Sequence, residues 1–159
     1  MHASDVLMYG HFTFMRTLEA FPAAQRSTGG AVGYWSVTNL VGHIGSFELV
    51  LVEVLEDLLA PRPTPLRDAL KADGQAFNDQ QVDVLRKDWT YEMCLEQYLA
   101  AHEEVRTLMG RLPAGMERVT GAIPWYGREY DLEDLLAYQY YGHKREHSGQ
   151  IQTFSDRFR

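Results

Sequence analysis

Apolar residues recur at three- and four-residue intervals along four long stretches of the chain, and proline, glycine and serine punctuate the gaps between them. That period places a stripe on one face of a helix. Residues 4 to 21 carry Leu7, His11, Phe14, Leu18 and Phe21 as such a stripe, closed by Pro22 and the loop Ser27-Thr28-Gly29-Gly30. Ser36 is positioned as the N-cap of a second helix, with Trp35 poised to staple onto its first turn. Its stripe is Leu40, His43, Phe47, Leu51, Val54 and Leu58, and Pro61, Pro63 and Pro65 end it. Residues 66 to 87 read as partly helical and mostly polar, with Phe77, Val82 and Leu85 as the expected anchors.

A third long helix is expected over 91 to 110, capped by Thr90 or Asp88. Its stripe is Cys94, Tyr98, Ala101, Val105 and Leu108, and Leu112-Pro113-Ala114-Gly115 terminates it. The stretch from Val119 to Tyr130 reads as a loop or short arm with a turn at Pro124-Trp125-Tyr126-Gly127. Asp131 caps a last helix that runs to about Phe154, with Asp134 favouring the positive end of its dipole. The last stripe is Leu132, Leu136, Tyr140, His143, His147, Ile151 and Phe154. Four long amphipathic helices with little strand signal predict an all-α four-helix bundle forming a single domain over 1-159. Neither an internal repeat nor a low-complexity segment is evident.

Composition narrows the function classes. Hydrophobic residues make up 45% and charged residues 23%, a soluble balance, and the net charge of −7 with no Lys/Arg cluster argues against a nucleic-acid groove. No apolar run was expected to reach the ~20 residues that span a bilayer, and the start Met1-His2-Ala3-Ser4-Asp5 lacks the pattern of a signal peptide. Cys94 is the only cysteine, so an internal disulfide or a thiolate zinc cage is ruled out and a reducing cytoplasm fits. Any metal site must use nitrogen and oxygen ligands. The glycines of Gly29-Gly30-Ala31-Val32-Gly33 follow no strand and make a poor phosphate loop.

The candidate chemistry lies with the histidines. His143 and His147 stand one turn apart on one helix, and His43 lies on the apolar stripe of another. Two ligands from one helix and one from a second leave positions of an ion open, the arrangement of catalytic sites. Imidazole alone does not choose the metal: zinc or nickel comes first, with iron, manganese or copper also compatible. Gly42 and Gly45 flank His43, and Gly142 and Gly149 bracket the pair, each costing about 1 kcal/mol in a helix interior. They make room either for a ligand or for tight helix crossings. A hydrogen-bonded core histidine and a surface pair remain the structural alternative.

Asn39, one turn before His43, is a candidate partner for an imidazole N–H, and Tyr140, one turn before His143, a candidate for substrate or metal-bound water. Arg128 is a candidate for an anionic group, and Tyr141, Trp125 and Tyr126 for a pocket mouth. His11 reads as a packing residue, a pocket acid/base or a fourth ligand, His102 as structural or exposed, Cys94 as a core thiol, and Glu48 and Glu146 as lying off the site.

Two segments carry a family resemblance. Trp35-Ser36-Val37-Thr38-Asn39-Leu40-Val41-Gly42-His43 resembles the start of the second helix of the DinB/YfiT-like superfamily, and His143-Lys144-Arg145-Glu146-His147-Ser148-Gly149-Gln150-Ile151 resembles its last-helix motif. Phe77-Asn78 and the loop ending at Gly127 fall where the family has its middle segment and pre-helix arm. The resemblance implies an up-down-down-up four-helix bundle, often dimeric, with a divalent metal held by His43, His143 and His147. It also implies a small-molecule substrate. Members include metal-dependent hydrolases and enzymes using a low-molecular-weight thiol, such as mycothiol-dependent maleylpyruvate isomerase and bacillithiol or glutathione transferases. The leading expectation is therefore a metal-dependent hydrolase or thiol S-transferase. The rivals are a non-catalytic ligand-binding or stress-protection protein on the same bundle, and a dimeric structural protein.

Overall fold

The computed structural model describes residues 2–159; Met1, where the leader-free reading begins, lies outside them. The described residues form helices and turns with no β-strand. In chain order these are α1 (Ala3–Ala20), α2 (Val37–Leu59), α3 (Pro65–Ala72), α4 (Gly74–Asn78), a π-helical segment Asp79–Leu85, α5 (Tyr91–Arg111), α6 (Leu132–Leu135), a second π-helical segment Leu136–Gly142, and α7 (His143–Ser155). Short 3-10 turns occupy Ala23–Gln25, Met116–Arg118 and Asp156–Phe158.

The chain divides into two compact units, residues 38–112 and residues 1–37 with 113–159. In the discontinuous unit, α1 lies along the second π segment and α7. Gly10 makes this approach possible: a Cβ there would stand 3.3 Å from Tyr141 Cα. Phe14 and Leu18 are buried on the same face of α1, and Phe21 stacks on Phe154 at 5.9 Å. Fully burying each such side chain contributes about 1.5–3 kcal/mol. The loop before α6 turns on Gly127, whose φ of 149° suits glycine and whose Cβ would strike the Tyr130 ring at 2.7 Å.

In the continuous unit, α2 and α5 cross closely at small residues. A Cβ on Gly45 would meet the Tyr98 Cα at 3.6 Å, and one on Gly42 would meet Arg86 Cδ at 3.1 Å and Cys94 Sγ at 3.3 Å. The proline connector ends α2, and Pro65 opens α3 at its first position, where its missing N–H costs nothing. The Glu53 carboxylate accepts the next two amides, Leu66 N–H at 2.9 Å and Arg67 N–H at 3.0 Å, as an anion at a helix N-terminus. Thr90 caps α5 by accepting the Met93 N–H at 3.2 Å.

Three expectations are corrected and one open alternative is decided. Leu85 is exposed; in the π register Gln81, Val82 and Arg86 turn inward, with Arg86 donating to the Gln81 carbonyl at 2.8 Å and to Gln97 Oε1. Of the two expected places for His102, the structural one holds: it is buried, with its Nδ1 3.4 Å from Oε2 of the buried Glu48. The last helix is not one continuous α-helix but α6, a π segment and α7 in succession. Finally, α2 is long and apolar enough to cross a membrane by length and composition, but 78% of that stretch is buried inside the protein, as in a core helix.

Candidate metal centre

His143 is the first residue of α7 and His147 follows one turn later. The π segment before them has a physical reason. Leu132, Leu136, Tyr140, Lys144 and Ser148 are all buried and lie four residues apart. An α-helix turns about 100° per residue, so each such step overshoots a full turn by about 40° and four steps carry the stripe about 160° around. The wider π turn absorbs the surplus and keeps the row on one face. The same register buries His147 and leaves His143 half-buried, beside the fully buried Lys144.

The two rings of the pair have centroids 4.6 Å apart, and their Nε2 atoms are separated by 2.9 Å. His147 Nδ1–H donates to Gln150 Oε1 at 2.7 Å. Burial pushes the His147 imidazolium below its ordinary range, a shift partly offset by the Gln150 hydrogen bond and the Glu146 charge. His147 is thereby held neutral at neutral pH, the form that ligates metal. His43, on α2, is buried at 4% exposure with its ring edge-on to Phe47 at 5.0 Å.

Ligand atoms of His43, His143 and His147 all lie within 4.8 Å of one another. An ion bound at 2.0–2.1 Å to each of two nitrogens would hold them no more than about 4.2 Å apart, a little less than the 4.8 Å limit of this group. Three imidazole nitrogens suit a divalent ion and make no closed thiolate cage.

The remaining candidates are scattered more widely. Tyr140 is buried, and Lys144 Nζ sits 5.8 Å from its ring centroid, a cation over an aromatic face. Asn39 is half-buried one turn before His43 on α2. Arg128 is exposed in the loop after Gly127. His11 is half-buried on α1. Tyr141 is half-buried and takes the Arg145 guanidinium over its ring at 5.5 Å. Trp125 and Tyr126 are half-buried with ring centroids 6.0 Å apart, and burial raises the Tyr126 phenol. Cys94 is buried, and burial raises its thiol, offset in part by Arg86; it is an inert core group. Glu146 is exposed.

Sequence reasoning assigned no role to Gln150, Lys144 or the Glu48–His102 pair. For Gln150 a signal existed: an amide three residues after His147 lies on the same helix face. Nothing in the pattern of polar residues announces a fully buried lysine.

No known family model matches this chain, and neither a curated protein nor a solved structure does.

Proposed function

We propose that the chain is a metal-dependent enzyme of the DinB/YfiT type, a hydrolase or a transferase of a low-molecular-weight thiol, with His43, His143 and His147 as its ligands. The observation that carries this reading is the approach of the three histidines' ligand atoms to within 4.8 Å. In the proposal the helices assemble as an up-down-down-up four-helix bundle forming a single domain, and the protein works as a cytoplasmic homodimer on a small-molecule substrate.

A divalent ion held by these residues would lower the pKa of a water or thiol and polarise an electrophile. The chain's own residues supply the rest. The three imidazoles would present nitrogen ligands, and the burial of His43 and His147 limits competing water. Tyr140, beneath the Lys144 cation, is assigned to hold the substrate or a bound water through its phenol. Asn39 is assigned to orient His43 from one turn away. Arg128, being exposed, is assigned to receive a carboxylate at the entrance.

Metal content decides the ligand assignment. Wild-type protein loaded with zinc(II) or nickel(II) should retain about one ion per chain, and His143→Ala and His147→Ala should retain none. Variants that hold as much metal as wild type remove the site. Turnover of activated esters, or of an electrophile with an added thiol, then separates the hydrolase from the transferase. Metal binding without either turnover assigns the protein to ligand binding.

A further inference from the structure

We infer that Gln150 is a positioning residue that orders the protons of both histidines in the pair. This inference rests on the metal reading above for its purpose, but not for its evidence. The Gln150 oxygen 2.7 Å from His147 Nδ1 can only accept a hydrogen bond, so Nδ1 carries the proton. A neutral imidazole has one N–H, so with its proton on Nδ1 the His147 Nε2 carries a lone pair. That Nε2 lies 2.9 Å from the Nε2 of His143, which must therefore be the donor between them. One amide thus sets a chain of polarity running from Gln150 through His147 to His143.

Two consequences follow. His147 is already in the tautomer whose Nε2 lone pair can take an ion, so no rearrangement of its ring precedes binding. His143 spends its Nε2 proton on His147, so that proton must leave before the same nitrogen can take an ion. Gln150 is half-buried and borders an open groove of about 380 Å³ shared with Gly149, Thr153, Phe154 and Arg157. A Cβ on Gly149 would meet nothing within 4 Å, so the groove is not filled by the glycine's neighbours. The ordering amide is therefore built at the surface edge of the pair, where a substitution need not disturb the interior.

The test uses the full chain stripped of metal, and long-range proton–nitrogen NMR of the imidazoles. In wild type His147 should appear protonated on Nδ1 and His143 on Nε2. Gln150→Leu, with helix content checked by circular dichroism, should lose this order and show mixed tautomers at His147. Gln150→Glu, which keeps an acceptor in place, should restore the wild-type pattern. Titrated with zinc(II) or nickel(II), Gln150→Leu should bind about 10- to 100-fold more weakly, and Gln150→Glu at least as tightly as wild type. Unchanged tautomers in Gln150→Leu overturn the inference whatever the metal result. A wild type that orders its tautomers yet binds neither ion leaves the inference standing and removes the metal reading instead.

Discussion

At the scale of single residues, the glycines near the histidines turn out to serve different purposes. Gly42 and Gly45 lie where α5 and Arg86 press against α2, whereas Gly149 faces open space. Substitutions should therefore have opposite signs. Gly42→Ala forces a methyl to 3.1 Å from Arg86 Cδ and should destabilise by about 1–3 kcal/mol through overpacking. Gly149→Ala should stabilise by about 0.5–1 kcal/mol, since only the helical backbone entropy changes. Urea unfolding of both variants reads the two signs directly. The His147 shift also has a pH consequence. Its folded-state affinity for protons is lowered below the unfolded value of about 6.5. Unfolded chains then bind the proton more readily, so this contribution to stability is fully present above pH 6.5 and is lost as pH falls below it. Metal-free wild type should lose stability over that window more steeply than His147→Gln, as chemical denaturation at a series of pH values will show.

At the scale of elements, caps and breakers were readable because their chemistry is local. Thr90 at α5, the proline connector after α2, and the Asp131–Asp134 capping box at α6 all act through their own or adjacent backbone amides. Thr90→Ala should cost about 1 kcal/mol, measurable as a lowered denaturation midpoint with an unchanged denaturant slope. The π segments were not readable in the same way. Their residues fit an α-helical stripe nearly as well, and only the demand that Leu132, Leu136, Tyr140, Lys144 and Ser148 all be buried reveals the surplus. The misplacement of Leu85 has the same origin: α-periodicity was applied to a stretch that winds more widely.

At the scale of the whole molecule, the proposed ion links function to stability. A ligand that binds only the folded state stabilises it by about 2.7 kcal/mol at one hundred times its dissociation constant. Zinc(II) or nickel(II) at that excess should raise the midpoint of thermal unfolding of wild type and leave His43→Ala unmoved. Differential scanning calorimetry at several metal concentrations makes the comparison, and an equal rise in His43→Ala would remove His43 from the ligand set.

The sequence by itself determined where the long helices are capped and broken, that the chain is helical throughout its long segments, and which three histidines deserve attention. Periodicity, caps and turn residues act over a few neighbouring positions, so each leaves a local mark. Only the tertiary structure decided which polar groups are taken out of water. Glu48, His102 and Lys144 are buried because neighbouring elements cover them, and no residue beside them in the chain records that. The same holds for the histidines. Spacing places His147 one turn from His143 and Gln150 on the same face, whereas nothing local in the chain announces the approach of His43, about a hundred residues away.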